Sequence, residues 1–112
     1  MSQITTHVLD TSRGSPASKL AIALFRFENE SWESVATGIT NSDGRIVDLL
    51  EQERVLPKGT YKLNFETQSY FDALGEKCFY PSVEIIFSIQ DSDHYHVPLL
   101  LSAYGYSTYR GS

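Results

Sequence analysis

Tyr61-Lys62-Leu63-Asn64-Phe65-Glu66-Thr67 alternates without a break: Tyr61, Leu63 and Phe65 fall on one side, Lys62, Asn64 and Glu66 on the other. Successive side chains of an extended chain point to opposite faces, so this is a strand with one face in a core and one in water. Downstream, Val83, Ile85, Phe87 and Ile89 repeat the pattern, with Glu84, Ser88 and Gln90 opposite them. Upstream, Leu20 to Phe27 is almost continuously apolar and reads as a central strand. Ile4 to Leu9, Ser34 to Thr40, Arg45 to Leu49, Tyr95 to Leu101 and Tyr104 to Arg110 complete a set of about eight strands. Turn residues separate them: Ser12-Arg13-Gly14-Ser15-Pro16, Asn41-Ser42-Asp43-Gly44, Leu56-Pro57-Lys58-Gly59 and Gln90-Asp91-Ser92-Asp93. Only Ser69-Tyr70-Phe71-Asp72-Ala73-Leu74-Gly75 breaks the alternation, with a Ser-x-x-Asp opening like a capping box and a closing glycine. It reads as a two-turn helix on the side of an all-β, two-sheet antiparallel β-sandwich.

Size and composition agree. The 112 residues (1–112) make one domain, too short to divide, and 41% hydrophobic residues with seven glycines fall in the ordinary globular range. Cys78 is the single cysteine, so no internal disulfide holds the fold and a reducing compartment suits it. No apolar run approaches a membrane span, and Met1-Ser2-Gln3 does not begin a secretory signal. A net charge of −5, with nine scattered Lys and Arg, argues against nucleic acid as a partner. The expectation is a soluble, cytoplasmic protein with no membrane partner.

Three histidines are the obvious ionisable candidates. His94 and His96 lie two apart and project from one strand face, while Tyr95, Val97, Leu99 and Leu101 form the core face. His7 shares its face with Thr5 and Leu9. A face mixing histidines with Leu9, Pro98 and Leu100 is either a solvated sheet surface or a groove closed by a second subunit. His94-x-His96 with His7 also has the composition of a three-histidine metal site, though the spacing is common. Cys78 has no activating neighbour in sequence, and there is no nucleophile elbow, phosphate loop or dinucleotide fingerprint.

The chain resembles the transthyretin family over essentially its whole length. His7-Val8-Leu9-Asp10-Thr11 followed by Gly14-Ser15-Pro16-Ala17 is similar to the family's opening motif, and Ser69 to Gly75 to its side helix. His94 to Ser102 and Tyr104 to Ser112 resemble its last two strands. Ala103 stands where the family commonly has proline. The family divides into a thyroid-hormone carrier and a branch that hydrolyses 5-hydroxyisourate in urate breakdown. His7, Arg45, His96 and the terminal Tyr109-Arg110-Gly111-Ser112 match the hydrolase branch, whereas the carrier has lysine in place of His7 and lacks the tetrapeptide.

The resemblance implies a transthyretin-like sandwich acting as a cyclic amide hydrolase without metal or other cofactor. It implies His7, Arg45, His96 and Ser112 as catalytic residues, with Tyr109, Arg110 and Gly111 joining His7 and Arg45 in binding substrate. It also implies a homotetramer, a dimer of dimers, with sites in the groove between dimers. The residue types suit that chemistry. Neutral histidine is a base near pH 7, and arginine offers two parallel donors to a carbonyl or enolate oxygen while remaining charged. Chain ends usually fray, so a tail used for binding must be held down.

Overall fold

The alternating segments fold into nine strands and one helix, in a computed structural model that describes every residue from Met1 to Ser112. In chain order these are β1 (Ile4–Asp10), β2 (Ser15–Pro16), β3 (Ala21–Glu28), β4 (Ser31–Ile39), β5 (Arg45–Ile46), β6 (Gly59–Phe65), α1 (Thr67–Ala73), β7 (Val83–Ile89), β8 (Tyr95–Ser102) and β9 (Gly105–Thr108). One sheet has the order β2-β1-β8-β9, with β5 also paired to β1; the other has the order β4-β3-β6-β7. The inner faces meet in one core. Ile4, Val8, Val97, Leu99 and Leu101 of the first sheet lie buried with Ile22, Leu24, Tyr61, Leu63, Phe65, Val83 and Ile89 of the second. Each such side chain contributes on the order of 1.5–3 kcal/mol through removal from water.

The fold is the expected all-β sandwich, with four local departures. β1 and β8 run parallel, in register from Ile4↔Tyr95 to Asp10↔Leu101, so the sandwich is not wholly antiparallel. Hydrophobic alternation is the same for either direction and carries no signal of it. The loop at Ser15-Pro16 is a ninth strand, pairing Leu9↔Pro16 and Asp10↔Ser15. β5 stops at Ile46, where the exposed Val47 and Asp48 leave the ladder. The helix starts earlier than the capping-box reading places it: Thr67 begins it, Glu66 is the residue before, and no side chain caps that end. Ser69 therefore lies inside the helix. Thr67 is instead fixed by its hydroxyl, which donates to the Tyr80 carbonyl at 2.7 Å, while Tyr70 and Phe71 enter the core. Gly75, at φ +72°, takes the left-handed position that ends the helix.

Two contacts fix β1, the strand that carries His7. At its end the buried Asp10 carboxylate accepts from the Tyr70 hydroxyl at 2.7 Å and from the Ser12 and Arg13 amides, tying the strand to α1. Beside its middle, Gly44 at φ +73° lies so close that a Cβ would stand 2.4 Å from the Val8 carbonyl oxygen. Only glycine fits there, and its carbonyl accepts the Val8 amide at 2.7 Å. That bond sets Arg45 next to His7.

Candidate active site

Strand register assembles the outer face of the first sheet. β5 pairs with β1 so that Arg45 is opposite His7, and β8 pairs on the other side so that His7 is opposite Pro98. Two residues back along both strands, Thr5 is opposite His96. Ile4, Thr6 and Val8 face inward, as do Val97 and Leu99, so His7 and His96 both project outward. Both imidazoles are partly buried and Arg45 is exposed. None of the chain's five ion pairs involves Arg45, so its guanidinium faces the two histidines without a carboxylate of its own.

Electrostatics keep both imidazoles neutral at pH 7. Burial lowers the pKa of His7 below its ordinary 6.5, and the Arg45 guanidinium lowers it further, against an opposing pull from Asp43. His96 is lowered in the same way, by burial first, then by Arg45, His94 and His7, with Thr5 opposing. Two neutral imidazoles beside an uncompensated cation form a surface that accepts protons and attracts electron-rich oxygens.

Thr5 belongs to this arrangement. Its side chain lies beneath the two rings, and its Oγ1 is 2.8 Å from His94 Nε2 and 2.8 Å from His96 Nδ1. The His94 and His96 rings are near-parallel, 26° apart. Threonine is unremarkable in a strand, so nothing in its residue type singles it out. The available signal was the His-x-His spacing, which puts two ring nitrogens on one face in need of a shared partner. No three His, Cys, Asp or Glu side chains converge as a metal-ligand set, so the three-histidine arrangement that the sequence allowed does not form within this chain.

The C-terminal tetrapeptide continues the β9 register past the end of that strand. Gly111 pairs antiparallel with His96, its amide donating to the His96 carbonyl at 2.9 Å. Thr108 Oγ1 donates to the Pro98 carbonyl at 2.7 Å, so the tail is held on both sides of Tyr109 and Arg110. A Cβ at Gly111 would lie 2.6 Å from His96 Cδ2 and 3.2 Å from Pro98 Cγ; the backbone passes directly against the imidazole. The structure thus gathers His7, Arg45, His96 and Gly111. Tyr109 and Arg110 go elsewhere: both line a cleft at the open edge between β7 and β8–β9, with Arg110 stacked 4.2 Å over the Tyr95 ring. Ser112 follows Gly111 and is exposed.

Comparison with known proteins places this arrangement. The family described as HIUase/Transthyretin matches residues 4–111. A mouse protein named 5-hydroxyisourate hydrolase is 47% identical, over 99% of this chain and 96% of its own length. The solved 5-hydroxyisourate hydrolase of Klebsiella pneumoniae superimposes with a TM-score of 0.86 at 38% identity, covering 97% of this chain and 98% of that one. Sea bream transthyretin in complex with thyroxine superimposes with a TM-score of 0.91 at 28% identity, covering 98% and 95%. With the family match spanning both sheets, the helix and the tail that crosses His96, the chain belongs to the HIUase/Transthyretin family.

Proposed function

We propose that this chain hydrolyses 5-hydroxyisourate, opening its six-membered ring to 2-oxo-4-hydroxy-4-carboxy-5-ureidoimidazoline. The observation that carries the reading is the unpaired Arg45 guanidinium set opposite His7 and beside His96, both lowered below their ordinary pKa. In this scheme Arg45 orients a ring oxygen and stabilises the negative charge that develops on it. A neutral histidine takes a proton from water as the water oxygen adds to the ring carbonyl carbon. The carbon–nitrogen bond then breaks, and the departing nitrogen receives a proton from the second imidazole side of the site. His7 and His96 divide these two roles. Ser112, carried past His96 by Gly111, offers its hydroxyl to the ring edge. Sequence supports hydrolysis over hormone carriage: relatives named as hydrolases share 41–49% identity with this chain, against 28% for sea bream transthyretin.

The assembly that fits this site is a homotetramer, a dimer of dimers. β7 and β9 each form one open edge of their sheets, with Ile86 and Tyr106 exposed on them and Tyr109 exposed just past β9. Open edges of this kind are stabilised by pairing with a second copy. A partner across the outer face of the first sheet would then close the groove over His7 and His96. The test is the decay of freshly generated 5-hydroxyisourate, followed by ultraviolet absorbance with and without protein. Acceleration over the spontaneous rate is expected. A rate equal to the spontaneous one, with saturable binding of an aromatic ligand, would replace hydrolysis with carriage.

A further inference from the structure

Thr5 has one hydroxyl proton and two imidazole neighbours, and that imbalance constrains the protonation of both rings. With His94 Nε2 and His96 Nδ1 each 2.8 Å from Oγ1, the hydroxyl can donate to only one nitrogen, and where it does so it accepts from the other. Two ordered arrangements result. In the first, His96 Nδ1–H donates to Thr5 and Thr5 donates to His94 Nε2, which leaves His96 Nε2 with a free lone pair. In the second, both bonds reverse and His96 Nε2 carries the proton. Thr5 is only 7% exposed, so its hydroxyl is largely withdrawn from bulk water. At the other end of the row, His94 is exposed.

We propose that Thr5 and His94 act as positioning residues that hold His96 in the first arrangement, making His96 the general base, and that they carry its proton out to solvent. The inference rests on the hydrolase reading above. When His96 Nε2 takes a proton from the attacking water, its Nδ1 proton passes to Thr5 Oγ1. The Thr5 proton passes to His94 Nε2, and the proton already on His94 Nδ1 leaves to bulk water. One proton enters the row and one leaves. His96 ends neutral with its proton on Nε2, and the row has moved from the first arrangement to the second. His7 gives a proton to the departing nitrogen as its other ring nitrogen takes one from solvent, and loss of the His96 Nε2 proton to water, with uptake at His94, restores the starting state of the row. The near-parallel rings of His94 and His96 let both nitrogens reach the same oxygen throughout. His7 lies outside this row and is left to act on the substrate directly.

The experiment has a ligand-free arm and a kinetic arm. In the full-length protein labelled with nitrogen-15 at histidine, His96 should show a protonated Nδ1 and a bare Nε2, and Thr5→Val should abolish that preference. A protonated Nε2 in the unsubstituted protein, or an unchanged preference in Thr5→Val, overturns the proposal. Kinetically, Thr5→Val should lower kcat by roughly 10- to 100-fold with KM within about twofold, and Thr5→Ser should recover most of the loss. His94→Gln, at an exposed position where folding is not at risk, should lose about tenfold in dilute buffer and regain it with added imidazole. No dependence on imidazole would remove the relay. If the unsubstituted protein fails to hydrolyse 5-hydroxyisourate, the hydrolase reading falls, while the nitrogen-15 result still decides the state of the row.

Discussion

On the outer face of the β4-β3-β6-β7 sheet, the Lys62 ammonium lies 4.4 Å over Trp32 and 5.2 Å over Phe25, with Glu84 at 3.2 Å. On the outer face of the β2-β1-β8-β9 sheet, Arg45 has no carboxylate partner and lies among imidazoles whose pKa values it lowers. Both faces are built on the same alternating strands. In one, the cation is neutralised and covered, which serves packing. In the other, it is left uncompensated beside imidazoles, which suits the substrate-binding role proposed for it. The difference teaches that the two faces are told apart by their cations: Lys62 is covered and paired, whereas Arg45 is exposed and has no carboxylate partner.

The sharpest way to break the comparison is to reverse the unpaired charge. Arg45→Glu should lower kcat/KM for 5-hydroxyisourate by about 10³-fold or more, since in the proposed scheme it replaces the donor to the developing oxyanion by a repelling carboxylate. Arg45 is exposed and unpaired, so thermal unfolding should shift little. A variant that unfolds early, or that keeps its activity, would make Arg45 a structural residue like Lys62. The same assay on His7→Asn should show a loss of roughly 10²-fold or more with the fold retained.

A smaller effect tests whether the tail belongs to the reactive face. Gly111→Ala puts a methyl 2.6 Å from His96 Cδ2, so either the tail or the imidazole must move. A displacement of that size should reduce kcat by about 10- to 100-fold, with thermal stability almost unchanged. Activity equal to the unsubstituted protein would show that the tail can lift from His96 without consequence.

Acidification gives a graded version of the same test. His7 and His96 are both lowered from 6.5, so a histidine base remains neutral at pH 7 and the rate should fall only below that value. The midpoint should therefore lie lower than for a free imidazole, and a midpoint above about 6.5 would contradict the burial of both rings. Stability follows the same sign. A folded state with depressed histidine pKa values binds fewer protons than the unfolded chain, so this contribution is complete above about pH 6.5 and is lost as pH falls through the folded values. Besides Arg45, the groups that face these rings are Asp43 at His7 and His94 at His96. Replacing Arg45 by glutamine should raise both histidine midpoints in an NMR titration, because it removes the second-largest cause of each shift.

Much of this was legible in the residues, and the remainder has specific causes. The alternation in Tyr61–Phe65 and Val83–Ile89 marked inward faces correctly, because a strand's side chains are committed by the backbone to one side or the other. The parallel run of β1 against β8 was not legible, since direction leaves no trace in hydrophobic period. β2 was missed because two residues carry no period at all. The helix start was misplaced because Ser69 has the composition of a cap, while the chain is in fact anchored by Thr67 on Tyr80. At the site, His7 and His96 stand out as residue types with chemistry of their own, and Arg45 is singled out only by the family resemblance. Thr5 has none until two ring nitrogens are brought to it, which is a property of register. Likewise, Tyr109 and Arg110 adjoin Gly111 in sequence, yet both line the cleft beside β7 while Gly111 lies against His96, a placement set by where the tail runs and by no residue type.

The smallest expected effect lies on the opposite face. Lys62→Gln removes an ammonium whose side chain is only 11% exposed, together with its contacts to Trp32, Phe25 and Glu84. Cation–π contacts contribute roughly 0.5–2 kcal/mol, and the ion pair adds little because Glu84 is half in water. Glutamine keeps most of the aliphatic stem, so packing over Trp32 is largely retained. The expected result is a loss of about 1 kcal/mol in denaturant unfolding, with kcat and KM for 5-hydroxyisourate within about twofold of the unsubstituted protein. A large loss of activity with normal stability would show that the two outer faces are coupled through the core, and that the unpaired Arg45 is not by itself what makes one of them reactive.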